Sequence, residues 1–215
     1  MNPVITRLQC VTCAAPLAVL GNRLRSKTIT CQYCGTVMDC QDELRALYAF
    51  RNVQQPQTKL RIGMQGRFHG VLFQIAGFVI YRSIAQNETH QWLHFQCYSP
   101  THGYLHLVTW GEQCLVLRRT YHLPNKNLWL LKSNDRFEAL DKPFKITQHH
   151  FAEIFYAAGT LTESIKHRQR NKQCFAFSDE HCYLSIQRSR TVEYYCGEVL
   201  PMHMVEDILD TVYDE

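Results

Sequence analysis

The sequence predicts a mainly β chain in which a small four-cysteine ribbon precedes an antiparallel β barrel or sandwich and a C-terminal helix. Three observations predict this class: two closely spaced cysteine pairs, a series of β-branched and aromatic runs separated by turn residues, and an apolar stripe at helical spacing near the end. They divide the chain into residues 1–50, a ribbon plus a helix, residues 51–60, a linker, and residues 61–215, a β-rich domain.

The four-cysteine motif consists of "CVTC" and "CQYC", which supply Cys10, Cys13, Cys31 and Cys34. The 17 residues between the two pairs are typical of a four-cysteine zinc site. Four thiolates complete the tetrahedral shell of Zn²⁺ and leave no position for water, so we expect a structural zinc ion, with Cys40 outside the shell. A redox pair or chance thiols are weaker interpretations, because no βαβ pattern surrounds the pairs and correctly spaced pairs rarely coincide.

The stretch between the pairs predicts two short strands, "LAVL" and "KTIT", around the turn "GNR". The residue behind the second cysteine of a regular knuckle often has positive φ, which glycine reaches without strain. Gly35 stands at this place in the second knuckle, whereas Ala14 stands there in the first. We therefore expect the first knuckle to be less regular than the second.

A helix is predicted from Asp39 to Phe50, with Asp39 as its cap and with Leu44, Leu47 and Tyr48 at helical spacing. The following "RNVQQPQTK" is polar, contains a proline and lacks periodicity, which favours a linker. We expect the ribbon and this helix to move as one unit relative to the β-rich domain.

The β-rich domain is predicted from runs of strand-forming residues bounded by Gly, Pro, Asn, Asp or Ser. The compact turns "SPTHG" and "WGEQ" favour hairpins and hence an antiparallel sheet. Predicted strands cover residues 71–83, 91–99, 104–110, 113–119, 128–133, 144–147, 174–178, 182–188 and 191–200. A closing helix follows Pro201, with an apolar stripe of Met202, Val205, Ile208, Leu209 and Val212.

Composition indicates a globular chain, because 46% of its 215 residues are apolar and 12% are aromatic. We expect a cytoplasmic protein, since the sequence shows no signal region and no run of 18 uncharged apolar residues. In a reducing compartment the ten cysteines are better explained as zinc ligands and buried thiols than as disulfides. Cys97 and Cys182 lie on apolar strand faces and are predicted to be core residues.

The formal charge of +4 lies in the first 60 residues, which hold seven basic and three acidic side chains. This excess suggests nucleic-acid binding through Arg7, Arg23, Arg25 and Lys27. Four thiolates around Zn²⁺ add a net charge of −2, however, so these residues can simply balance the metal site. No aromatic residue accompanies them until Tyr33, and we expect no specific nucleic-acid binding.

An enzyme is not indicated, because the sequence contains none of the common hydrolase, metalloprotease, Walker or dinucleotide motifs. The best catalytic candidates are His94 and His106, which share a face if "SPTHG" closes a hairpin, with His102 near the turn. Such a trio could bind a metal or transfer protons. Among eleven histidines, a pair on one face is also expected by chance.

Three segments resemble the bacterial domain of unknown function 4178, which often follows an N-terminal zinc ribbon. They are "IGMQGRFHGVLFQIAGFVIYR" with Gly63, Gly70, Gly77 and Tyr81, "WLHFQCYSPTHGYLHLVTWGEQCLVL", and "VEYYCGEVL" with Glu193, Tyr194, Gly197 and Glu198. The resemblance implies a β-rich domain of unassigned biochemistry with no established catalytic residues. It also implies a context, because such proteins accompany ESCRT-III-like membrane-remodelling proteins of the phage-shock type.

These observations favour a non-enzymatic zinc-ribbon adaptor or scaffold that acts in a bacterial membrane-stress assembly, with peripheral membrane association as a compatible property. A nucleic-acid-binding ribbon protein and an enzyme with a histidine-lined site are the alternatives.

Overall fold

A closed β barrel dominates the computed structural model, which describes residues 6–22, 24–50, 58–85, 88–166, 169–179 and 181–210. The strands are β1 (Thr6–Gln9), β2 (Pro16–Val19), β3 (Thr28–Thr30), β4 (Thr36–Asp39), β5 (Arg45–Ala49), β6 (Gln65–Phe68), β7 (Val71–Ala85), β8 (Glu88–Ser99), β9 (Gly103–Trp110), β10 (Gln113–Thr120), β11 (Arg136–Ala139), β12 (Lys142–Leu161), β13 (Arg170–Ser178), β14 (His181–Arg188) and β15 (Thr191–Pro201). One helix, α1 (Met202–Asp210), follows β15.

The barrel consists of eight antiparallel strands in the order β7, β8, β9, β10, β15, β14, β13 and β12. It closes because β12 pairs with β7, for example through Ala157 opposite Val79. The predicted mainly β class is therefore confirmed, and of the two predicted architectures the structure has the barrel. Its hairpins include the two that the turns "SPTHG" and "WGEQ" predicted.

The barrel interior is filled by side chains that touch across non-adjacent strands. Trp92 of β8 contacts Phe175 of β13 with ring centroids 6.2 Å apart. His94 of β8 similarly meets Tyr195 of β15 at 6.2 Å. Cys182, predicted as a core residue, belongs to the same buried cluster, as does Cys97. The alternation of interior and exterior side chains along each strand produces this core.

A second apolar cluster lies outside the barrel under β11, where Phe137 and Phe144 stack on each other and both contact Tyr183. Part of its cover is a short 3-10 turn at Leu128–Leu130. We predicted a strand there, and this was wrong. The side-chain oxygen of Asn127 accepts a hydrogen bond from the amide of Trp129 at 3.1 Å, which starts a turn instead of an extended run.

The four-cysteine segment is built onto the barrel sheet. Strands β3, β4 and β5 form an antiparallel extension, and β3 pairs with the end of β12 through Thr30 opposite Gly159 and Thr28 opposite Leu161. The expected free movement of the ribbon is therefore wrong, because it shares a hydrogen-bonded sheet with the barrel. The boundaries at residues 50 and 60 stay a prediction, and most of the predicted linker lies outside the described residues.

The helix predicted from residue 39 to residue 50 is wrong, because residues 45–49 form β5. Asp39 does accept a hydrogen bond from the amide of Gln41 at 2.9 Å, but this bond belongs to a turn between two strands. Glu43 and Leu44 have positive φ, which excludes a continuous right-handed helix. The apolar residues of this segment therefore do not form one face of a helix, although their spacing in the sequence is helical.

The closing helix is confirmed, with Val205 and Leu209 fully buried against the barrel. Lys59 pairs with Glu206 at 2.7 Å and ties the helix to the segment before β6. Val212, predicted as part of the stripe, lies outside the described residues. No helix in the described parts of the chain is long and apolar enough to cross a membrane.

Candidate metal centre

The two cysteine pairs lie in tight turns with the same hydrogen bond. The carbonyl of Cys10 accepts from the amide of Ala14 at 2.8 Å, and the carbonyl of Cys31 accepts from the amide of Gly35 at 2.9 Å. Ala14 has a φ of 59° and Gly35 a φ of 71°. The expectation of a less regular first knuckle is therefore wrong, because alanine adopts the left-handed conformation here at a cost of about 1–2 kcal/mol.

Gly35 has a second role in the Cys31–Cys34 knuckle, because the chain leaving β5 passes beside this turn. A Cβ atom on Gly35 would lie 2.2 Å from the carbonyl oxygen of Phe50. The amide of Phe50 donates to the carbonyl of Gly35 at 3.0 Å, so the two backbones are in direct contact. This contact joins the Cys31–Cys34 turn to the ribbon sheet.

The four sulfur atoms lie close enough together to hold a metal ion such as zinc. The Sγ atoms of Cys10 and Cys34 lie 3.6 Å apart, and those of Cys13 and Cys31 lie 3.7 Å apart. All four lie within 4.8 Å of one another. Zn–S bonds of about 2.3 Å in a regular tetrahedron place sulfur atoms about 3.8 Å apart. The cluster therefore fits a zinc ion held by four thiolates, and zinc ligation itself stays a prediction.

The sulfur atoms differ in their electrostatic environment. Burial raises the pKa of the Cys31 thiol to about 12, although the nearby backbone amides of Cys34 and Tyr33 favour its thiolate. Burial also opposes ionisation of Cys34, but hydrogen bonds from the Thr36 hydroxyl and amide and from neighbouring thiols outweigh it and lower the pKa to about 6. Metal binding must displace the remaining protons, so affinity for zinc should increase with pH.

Cys40 is not a member of the cluster that gathers Cys10, Cys13, Cys31 and Cys34 among the described residues. It lies partly buried at the end of β4, where its amide donates to the carbonyl of Lys27 at 2.9 Å. This placement agrees with the expectation that Cys40 stays outside the shell.

The three candidate histidines do not form one site. A ring nitrogen of His94 lies 2.9 Å from a ring nitrogen of His106, and both side chains are buried inside the barrel. His102 lies in the exposed turn and bonds Thr101. Burial and the charge of Arg188 lower the pKa of His106 to about 3. Burial and the neighbouring His106 lower the pKa of His94 well below its ordinary value, so the pair is neutral at physiological pH. The structure thus confirms the shared face of two histidines and separates the third from them.

A group of partly buried charges beside these histidines was missed by the sequence reasoning. Arg188 at the end of β14 binds Glu163 with a nitrogen to oxygen distance of 2.7 Å and also contacts Glu193. The Tyr81 hydroxyl lies 3.3 Å from the same guanidinium, and the Tyr195 hydroxyl donates to Glu193 at 3.3 Å. One signal was available, because Arg188 is the next alternate residue of β14 after the interior residues Cys182, Leu184 and Ile186. No local sequence pattern identifies Glu163 or Glu193 as its partners.

The basic side chains of the ribbon are only partly described. Arg25 and Lys27 are exposed, whereas Arg23 and the side chain of Arg7 lie outside the described residues. Lys27 lies close enough to Glu163 for its positive charge to favour that carboxylate. The charge of Lys27 thus stabilises a carboxylate next to the barrel. The expected lack of specific nucleic-acid binding by the ribbon stays a prediction.

Comparison of the chain with protein-family models, curated proteins and solved structures finds no match. The chain is therefore described by its own architecture, a four-cysteine cluster with hairpins on an eight-stranded antiparallel barrel that ends in a short helix.

Proposed function

We propose that the chain is a non-enzymatic zinc-ribbon adaptor whose knuckle tips bind a protein partner. The observation that carries this proposal is the exposure of apolar side chains beside the four cysteines. Val11 in the first knuckle is 56% exposed, and Tyr33 in the second is 75% exposed. Both knuckles flank the same sulfur cluster, so these side chains project from one small unit.

Zinc would make this unit suitable for recognition. Four Cys–Zn bonds fix the two turns relative to each other, and a rigid surface loses little conformational entropy on binding. Tyrosine is enriched among the residues that contribute most to protein interfaces. A structural zinc ion would support this role, because a closed four-thiolate shell offers no open position for catalysis.

The interior histidines also support an adaptor. An enzyme with a histidine-lined site would use His94 and His106, yet each is buried and hydrogen-bonded to the other. The partly buried Glu163, Arg188 and Glu193 next to them likewise form ion pairs with one another. These groups contribute to the barrel interior and need no substrate to explain their positions.

The proposed partner is an ESCRT-III-like membrane-remodelling protein in a bacterial membrane-stress assembly. This choice rests on the resemblance to the domain of unknown function 4178, whose members accompany such proteins. The adaptor would work in the cytoplasm and approach the membrane through its partner.

Site-specific crosslinking in the host tests this proposal. A photo-crosslinking amino acid replaces Tyr33 in one variant and, in the control, Tyr121, which is 81% exposed just after β10. We expect crosslinks to the membrane-remodelling protein from position 33 and none from position 121, with loss of the crosslink when Val11→Ser is added. Equal crosslinking from both positions, or capture of nucleic acid from position 33, would contradict the proposal.

A further inference from the structure

A row of alternating charges runs through one end of the barrel interior, from Glu163 to Arg188, Glu193 and Arg119. Glu163 and Arg188 are 2.7 Å apart, Arg188 contacts Glu193, and Glu193 lies 3.5 Å from Arg119. The side chains of Glu163 and Arg188 are each 13% exposed, whereas that of Arg119 is 48% exposed. The row therefore begins in the interior and ends at the barrel rim.

Glu163 is the only one of these four residues outside a strand, and it lies just after β12. Its side chain is held by the barrel through Arg188, which the Tyr81 hydroxyl also contacts from the opposite wall. The preceding Thr162 is fixed as well, because its amide donates to the side-chain oxygen of Gln96 at 3.0 Å. The segment that follows β12 is thus held by polar contacts to barrel strands.

The backbone of the same segment holds the ribbon. The Thr28 hydroxyl, at the start of β3, donates to the carbonyl of Glu163 at 2.8 Å. The amide of Lys27 donates to the carbonyl of Leu161 at 2.9 Å. Since β3 comprises only Thr28–Thr30, the cluster residue Cys31 follows directly after it. Only Ile29 and Thr30 therefore separate Cys31 of the metal cluster from Thr28, which contacts Glu163.

We propose that Glu163 couples metal binding at the four-cysteine cluster to the ordering of the segment after β12, an inference that rests on the zinc site proposed above. Zinc fixes Cys31 and hence β3, and β3 holds the backbone of Glu163 in the position where its carboxylate meets Arg188. Coupling between two sites is reciprocal. A barrel that holds Glu163 in place therefore favours zinc binding, and zinc binding favours an ordered segment after β12.

The coupling is tested by measuring zinc affinity in competition with a chromophoric chelator for the wild-type chain, Glu163→Gln and Glu153→Gln. Glutamine preserves the shape of the side chain and removes its charge. Glu153 is the matched control, because it pairs with Arg82 at 2.7 Å between β12 and β7 and has no contact with the ribbon in the described structure. We expect Glu163→Gln to raise the dissociation constant for zinc at least about fivefold, and Glu153→Gln to change it less than about twofold.

Hydrogen exchange of the wild-type chain supplies a second measurement that does not depend on the folding of a variant. Removal of zinc should speed amide exchange in residues 159–166 and leave the pairing of β11 with residues 142–145 unchanged. Equal zinc affinity in wild type and Glu163→Gln, equal weakening by both variants, or unchanged exchange in residues 159–166 would overturn the coupling while zinc binding stands. A wild-type chain that binds no zinc would overturn the metal site and the coupling together.

Discussion

Gly77 and Gly159 face each other where β7 passes β12, as partners in the strand register. A Cβ atom on Gly159 would lie 2.4 Å from the carbonyl oxygen of Ala76 and 2.8 Å from the Cα atom of Gly77. Gly159 is also the residue opposite Thr30 of β3. Close backbone approach at this point therefore joins the closure of the barrel to the attachment of the ribbon.

Gly159→Ala should destabilise the protein strongly. Its φ of 73° disfavours alanine, and the added methyl group would meet backbone atoms that cannot move aside. Gly103 is a matched control, because it has the same φ of 73° and open space around a Cβ atom. We expect Gly103→Ala to lower the free energy of unfolding by about 1–2 kcal/mol and Gly159→Ala by about 1–3 kcal/mol more in urea titrations. Equal losses would show that the close approach is absent.

The buried histidines predict a decrease in stability with acidification. Burial, with the charges of Arg188 and Arg119, lowers the pKa of His106 to about 3. In the unfolded chain the imidazole of His106 is protonated below about pH 6.5. In the folded chain it is protonated only near pH 3. The contribution of His106 is therefore fully present above pH 6.5 and is lost as the pH falls toward 3.

A variant isolates this contribution. Glutamine at position 106 can hydrogen-bond His94 but does not titrate. Between pH 7 and pH 4.5 the wild-type chain should lose roughly 2–3 kcal/mol more unfolding free energy than His106→Gln. His102→Gln, in the exposed turn, should follow the wild-type profile. Parallel profiles for wild type and His106→Gln would argue against a buried neutral pair.

Limited proteolysis tests how the ribbon is attached. Trypsin can cut at Lys59 or Arg61, which are exposed. Because β3 pairs with β12, the two fragments should stay together in size-exclusion chromatography under native conditions and separate only in denaturant. Separation of a free ribbon from the barrel without denaturant would contradict the shared sheet.

The parts of the fold that follow from local pattern could be predicted. Ligand spacing located Cys10, Cys13, Cys31 and Cys34, and the hairpin turns and the stripe of α1 were visible in short windows. The segment after Asp39 misled the prediction, because a side-chain bond to a nearby amide starts helices and turns alike.

Features that depend on distant residues could not be predicted. Closure of the barrel requires β12 to reach β7, which lies some 75 residues earlier in the chain. Attachment of the ribbon depends on the last residues of β12, and Glu163 has no motif that connects it with Arg188. Only the three-dimensional arrangement shows that these residues meet.

Metal analysis of the purified chain tests the central claim most directly. We expect one zinc ion per chain in the wild type and in Cys40→Ser, and loss of tightly held zinc in Cys31→Ser, because Cys31 lies in the sulfur cluster and Cys40 does not. Full zinc content in Cys31→Ser together with loss in Cys40→Ser would contradict the ligand set, and a wild-type chain without zinc would contradict the metal centre itself.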